Sequence, residues 1–115
     1  MRPMTSLKRG DVVLVNFIFS EKAGAKQRPA LIVSTAAYHQ RRQEAMVVAI
    51  TSNVAQQLAG DHILTAWQEA GLVYPSRVTA ILRTVRRGMI TRRLGSLKRG
   101  DLQTVEQNLR SVLGL

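Results

Sequence analysis

Gly10-Asp11-Val12-Val13-Leu14-Val15-Asn16-Phe17-Ile18-Phe19 decides the class of fold. The stretch is β-branched and aromatic, comes after a Gly-Asp turn, and is too short for an average helix, so it reads as a strand. Two further runs share its character. Arg28-Pro29 opens Ala30-Leu31-Ile32-Val33-Ser34, and Val47-Val48-Ala49-Ile50-Thr51 comes after a polar interval. Pro29 belongs at a strand start or edge because it has no N–H to give to a ladder. All three runs are nearly continuous in apolar residues, as expected of central strands in a small curled sheet. Ser76 to Val85, interrupted by Arg77 and Arg83, reads as a fourth long strand. Asp61-His62-Ile63-Leu64 reads as a short edge strand, and Ile90 to Arg93 as another short one.

Between these runs, Ser20 to Gln27 is polar and reads as a loop. Ala37 to Glu44 is a loop or a short helix, Asn53 to Gly60 a polar connection, and Trp67 to Leu72 a helical turn ending at Gly71. The C-terminus carries the clearest helix. Leu102, Val105, Leu109 and Val112 recur at helical spacing and make one apolar face, with Gln103, Glu106, Gln107 and Arg110 opposite. Asp101 is expected as its N-cap and Gly114 as its stop. The hexamer Ser-Leu-Lys-Arg-Gly-Asp occurs twice, at 6–11 and at 96–101. The first copy leads into a strand and the second into a helix, so the two read as similar turn chemistry rather than an architectural repeat. The expected architecture is a mainly β fold with a C-terminal α-helix, a single domain over residues 1–115.

The chain has 115 residues, 17 Lys plus Arg, 7 Asp plus Glu and no Cys, for a net charge of +10. Without Cys there are no disulfides, thiolate metal sites or cysteine nucleophiles. No apolar run approaches the roughly 20 residues of a membrane span, and no secretory leader is visible after Met1-Arg2-Pro3. A cytoplasmic location is therefore expected. The positive excess favours a polyanionic partner such as nucleic acid, an acidic protein or an anionic surface. Thirteen of the cations are Arg and four are Lys. Arg grips phosphate bidentately and stacks on bases, whereas Lys is a point charge.

The two histidines stand far apart at 39 and 62, and the seven acids are scattered, so neither a metal site nor a cofactor is expected. The segment Ala23-Gly24-Ala25-Lys26 lacks the spacing and context of a phosphate loop. What remains is cationic and hydroxylic. Arg28 sits where a polar loop meets a strand, and Thr51-Ser52 where a strand meets a polar loop. If the second and third strands lie side by side, these ends converge on one patch. A guanidinium with hydroxyls is a reasonable grip for a phosphodiester. The same residues also fit a surface ion pair and a strand-closing turn.

In their order along the chain, Gly10 to Val15, Gln27 to Ser34, Val47 to Ser52, Ala70-Gly71-Leu72, Pro75-Ser76, Leu82-Arg83-Thr84-Val85 and Leu94 to Leu97 resemble the MazF/PemK toxin family. The resemblance implies a small Src-homology-three-like barrel of the MazF/CcdB type, usually a homodimer. It implies a metal-independent, sequence-specific endoribonuclease that cuts single-stranded RNA and leaves a 2′,3′-cyclic phosphate and a 5′-OH. It also implies a cognate antitoxin with an acidic segment. Carried over by position, Arg28 and Thr51 match the family's catalytic pair, with Ser52 adjacent. Gln27, Lys26, Arg77, Arg83, Arg86 and Arg87 are the expected RNA contacts. Even spacing puts Arg77, Arg83 and Arg87 on one face of a strand and Arg86 on the other. Two departures stand out. Many members have a Glu several residues before Arg-Pro, where this chain has Ala23 and its closest acid is Glu21. Many have an Asp where this chain has Arg86. Glu21 is the candidate substitute for the missing acid.

Two other functions share this pattern. CcdB-type toxins use the same fold to block gyrase by protein contact, and a non-catalytic nucleic-acid-binding module would use the same charge. The Arg-Pro and Thr-Ser pair favours the nuclease, because the gyrase poison does not need it.

Overall fold

Period-two alternation along the apolar runs lets the first three strands contribute to a core on each face of the sheet, and that sets the architecture. The computed structural model describes residues 6–20 and 24–115. Its elements are β1 (Asp11–Ser20), β2 (Gly24–Ile32), α1 (Ala36–Arg41), β3 (Glu44–Thr51), β4 (His62–Ile63), β5 (Arg77–Arg86), a 3-10 turn (Arg87–Met89), β6 (Ile90–Ser96) and α2 (Arg99–Leu113). The strands form one six-stranded sheet in the order β4-β5-β3-β2-β1-β6. Every neighbouring pair is antiparallel. The mainly β class with a C-terminal helix is as expected. No ladder joins the outer strands β4 and β6, so hydrogen bonding leaves the sheet open.

The two faces bury different cores. Val13, Val15 and Phe17 of β1 join Ala30 and Ile32 of β2, Ala45 and Val47 of β3, Val85 of β5 and Ile90 of β6 on one side. Val12, Leu31, Val48 and Val78 face the other side, where Val105 of α2 completes the cluster and Leu102 and Leu109 pack against it. The helix thus covers one face of the sheet through its apolar stripe, while Val112 stays half exposed.

Two sequence expectations change, and one that was open between loop and helix is resolved. The segment read as a loop before Arg28 is strand from Gly24 onward, because the ladder with β1 runs through Phe17↔Lys26 to Ser20↔Gly24. Backbone pairing extends there without the apolar side chains that mark a strand in sequence. Residues 36–41 are helical, opened by Thr35, whose Oγ1 accepts the Tyr38 N–H at 3.3 Å. Asp101 is not the N-cap of α2. The helix begins at Arg99 behind Lys98, and Asp101 lies buried in its first turn.

The two hexamers meet in space. Leu97 N donates to Gly10 O at 2.9 Å, and each copy ends in a buried Asp used as an acceptor hub. Asp11 accepts Lys8 N at 3.0 Å and Ser96 Oγ at 3.1 Å, and pairs with Arg93 Nε at 3.1 Å. Asp101 accepts the Thr65 amide (3.1 Å) and hydroxyl (3.0 Å) and the Ala66 amide (3.0 Å), and it bonds His62 Nε2 at 2.7 Å. Burial alone would push the Asp101 carboxyl up. The hydrogen bonds from His62, Thr65 and Ala66 outweigh it and hold the group below the usual carboxylate value.

The turn after β4 closes against the edge strand β6 through two glycines. A Cβ on Gly71, whose φ is +85°, would lie 2.2 Å from Leu94 O, and one on Gly95 would lie 2.5 Å from Ala70 O. Backbone therefore packs on backbone where no ladder forms.

Both features can be tested by substitution. Gly95→Ala forces this seam apart and lowers stability by roughly 1–3 kcal/mol in urea unfolding, the ordinary cost of overpacking. Asp101→Asn loses about 1–3 kcal/mol at pH 7. A carboxyl with a lowered folded-state pKa stabilises above its unfolded value, and that contribution disappears as pH falls through the folded one. The gap between Asp101→Asn and the parent chain should therefore narrow below about pH 4.

Candidate active site

The first core face changes character at one end. Along β2, Ile32 and Ala30 are buried, and the next residue on that face is the exposed Arg28. Along β3, Val47 gives way to Ala49 and Thr51, and on β5, Val85 gives way to Arg83. The β2–β3 register pairs Ala30 with Ala49, so its extension sets Arg28 opposite Thr51. Arg28, Thr51, Ser52 and Arg83 all line one open cavity of about 620 Å³. The Arg83 guanidinium lies over the Phe17 ring at 4.7 Å from its centroid. Among the described residues no acid pairs with Arg28 or Arg83, and no Asp, Glu or His lines the cavity. The described lining of the cavity is therefore cationic, with hydroxyls on its wall.

Thr51 is held from behind. Its Oγ1 accepts Asn53 N at 3.2 Å, and Asn53 Oδ1 accepts Ala55 N at 3.1 Å, so the chain turns immediately after β3. The Thr51 hydroxyl proton stays available to the cavity side, since that bond uses only a lone pair. Asn53 O accepts Arg77 Nε at 3.0 Å. Arg77 is buried and forms a close ion pair with Asp61, itself buried. Asp61 also accepts Leu58 N at 2.8 Å. One buried ion pair therefore fixes the 53–61 connection to the first residue of β5, directly beside Thr51 in the ladder.

The other sequence candidates fall in different places. Arg77, expected to touch a ligand, belongs to this internal pair and not to the open surface, because its guanidinium is consumed by Asp61 and Asn53. Lys26 is exposed two residues before Arg28, opposite Phe17 and on the same sheet face. Gln27 alternates to the opposite face and does not line the cavity. Arg86 pairs in register with Glu44, seven residues along β3 from Thr51, which is roughly 23 Å at ~3.3 Å per residue. Arg87 lies past the end of β5 and donates through Nη2 to His39 O. With Arg86 it borders a separate depression that includes Gln43 and Glu44. Glu21 lies outside the described residues.

Among the other wall residues, Phe17, Ile81, Val73 and Tyr74 were not assigned to a site from sequence. Phe17 and Ile81 lie in runs read as strands. Ile81 is pushed outward by a bulge in which Thr79, Ala80 and Ile81 stand opposite Ala49 alone. Thr79 Oγ1 donates to Ala49 O at 2.8 Å and accepts Ile81 N at 3.1 Å, which stabilises the bulge. Tyr74 beside Pro75 was the one available signal, an aromatic in a turn.

Residues 8–113 match the sequence profile of the PemK-like, MazF-like toxin of type II toxin-antitoxin systems. The chain belongs to this family. Solved structures agree in fold. A MazE-MazF structure from Deinococcus radiodurans (form III) is 27% identical with a TM-score of 0.77, covering 95% of this chain and 97% of that one. MazF from the same organism (form I) is 25% identical with a TM-score of 0.75, covering 95% and 97%. An endoribonuclease in complex with its cognate antitoxin from a mycobacterial species is 18% identical, with a TM-score of 0.76 over 96% and 97%, and supports the fold alone. A comparison with curated protein sequences found no match.

The burial of Arg77 separates folding from surface charge in this MazF-like chain. Arg77→Gln leaves Asp61 buried without its partner and should cost about 3–5 kcal/mol in urea unfolding. Arg83→Gln, at an exposed position, should change stability by less than about 1 kcal/mol.

Proposed function

We propose that the chain is the toxin of a type II toxin–antitoxin pair and a sequence-specific endoribonuclease that cuts single-stranded RNA without a metal ion. The observation that carries this reading is the meeting of Arg28, Thr51, Ser52 and Arg83 in one cavity whose described lining is cationic and hydroxylic. RNA brings its own nucleophile. The 2′-oxygen bonds to the adjacent phosphorus, the bond from phosphorus to the 5′-oxygen breaks, and the products are a 2′,3′-cyclic phosphate and a 5′-OH. The protein has to align these atoms, move two protons and stabilise the charge that builds on the phosphoryl oxygens.

Arg28 is assigned the charge. Its guanidinium stays protonated, so it serves as an electrostatic clamp rather than a base. The hydroxyls of Thr51 and Ser52 orient the phosphate, and the Asn53 amide on Thr51 Oγ1 fixes which way that hydroxyl can donate. Arg83 holds a neighbouring phosphate, with Lys26 further along the same face. Glu21 is the proposed acceptor of the 2′-hydroxyl proton, and the leaving 5′-oxygen takes its proton from solvent water.

A homodimer, a cytoplasmic location and neutralisation by an antitoxin with an acidic segment complete the reading. The net charge of +10 supports an anionic partner, and no helix of the described residues is long and apolar enough to cross a membrane. An acidic antitoxin segment would compete with RNA for the same arginines.

Purified protein and a long unstructured RNA test the reading. Arg28→Ala and Thr51→Ala should each slow cleavage, Arg28→Ala by roughly 100- to 1000-fold, the usual loss when an oxyanion stabiliser is removed. Far-ultraviolet circular dichroism should stay unchanged in both. Wild-type rates from both variants would refute the site. Cleavage should persist in EDTA and weaken steeply with added salt, because each arginine–phosphate contact releases a counterion. Strict dependence on a divalent metal would refute the mechanism.

A further inference from the structure

We propose that Tyr74 is a base platform, on which the groove stacks an unpaired nucleobase next to the phosphodiester held by Arg28. This rests on the RNA-cleaving reading above and adds the part of the substrate that the arginines do not explain.

The cavity wall is not uniformly polar. Val73 is 78% exposed, Tyr74 64% and Ile81 61%, and all three border the same cavity as Arg28 and Thr51. An exposed apolar patch beside two arginines fits a ligand with an anionic part and a flat apolar part. A nucleotide is such a ligand. Its phosphate meets Arg28 and Arg83, and its base needs a surface to replace the stacking lost in a splayed strand.

The platform is held in place. Ser76 Oγ donates to Tyr74 O at 2.8 Å, Leu64 N donates to Ser76 O at 2.9 Å, and Pro75 stiffens the backbone between. On the other side, Gly71 is locked against Leu94 by a contact that tolerates no Cβ. The loop is therefore anchored at both ends, while the Tyr74 ring faces outward. A tyrosine on a fixed backbone offers a large flat area with few torsions to freeze. Across the same cavity, the Arg83 guanidinium lies over the Phe17 ring, which holds that cation in place for phosphate. With few other aromatics in the chain, Tyr74 gives a single stacking position rather than a track for a long strand.

The test uses a short single-stranded RNA spanning a cleavage site first mapped with the wild-type protein, and versions with an abasic nucleotide at each position flanking the cut. Tyr74→Ala should raise KM roughly ten- to a hundredfold, the loss expected for one stacked base, with kcat changed only a few-fold. Tyr74→Phe should retain wild-type KM. One abasic position should impair the wild type by a similar factor and have little further effect in Tyr74→Ala, since both remove the same contact. Unchanged KM in Tyr74→Ala, or a raised KM with no abasic position coupled to it, would overturn the proposal. So would a Tyr74→Ala variant with normal RNA kinetics but altered sedimentation or antitoxin affinity, which would assign the patch to protein contact. A wild-type protein that neither cuts nor binds RNA would instead bring down the underlying functional reading, and this inference with it.

Discussion

A buried arginine has to be paired, and in this chain that requirement organises the candidate site. Arg77 and Asp61 neutralise each other inside the protein. Their hydrogen bonds reach outward to Asn53 and Leu58, so the irregular connection after β3 has a fixed course. Thr51 stands next to Arg77 in the ladder and receives the Asn53 amide. The orientation of one half-buried hydroxyl thus depends on a buried charge pair. A second acceptor hub at Asp101 holds the 62–66 segment to α2, and the glycine seam at Gly71 and Gly95 holds the next turn to β6. Together these three devices replace the hydrogen-bonded closure that the sheet lacks.

The site is a continuation of the core by other residues. The same alternating positions that carry Ile32, Val47 and Val85 deeper in the sheet carry Arg28, Thr51 and Arg83 at its open end. Precise placement therefore costs little extra: each of these candidate side chains is mounted on a strand whose inner portion is already packed. The apolar rim formed by Val73, Tyr74 and Ile81 sits on the irregular parts, a turn and a bulge, which are free to vary without disturbing the ladder.

Much of the fold was legible because period and turn chemistry are local. The runs at 10–19, 30–34 and 47–51 are apolar enough to declare strands, and the spacing from Leu102 to Leu109 declares a helix. Antiparallel pairing of the second and third runs also sets Arg28 opposite Thr51 in register, which is why the two lie together. Other features depend on partners distant in sequence. Arg77 looks like a surface cation until Asp61 is seen beside it. Asp101 looks like a cap until the 62–66 segment uses its oxygens. Gly24 to Gln27 carries no apolar pattern, yet the β1 backbone recruits it as strand. The outward turn of Ile81 depends on a bulge, which leaves no mark on hydrophobic periodicity.

The central claim is that Arg28 and Thr51 promote attack by the RNA's own 2′-hydroxyl. Determining the chemistry of the fragment ends after digestion of a long RNA in EDTA tests it most directly. The mechanism predicts 2′,3′-cyclic phosphates and 5′-hydroxyls at recurring sequences, and loss of those cuts in Arg28→Ala. Fragments ending in 3′-hydroxyls and 5′-phosphates, or the same cuts persisting in Arg28→Ala, would contradict it.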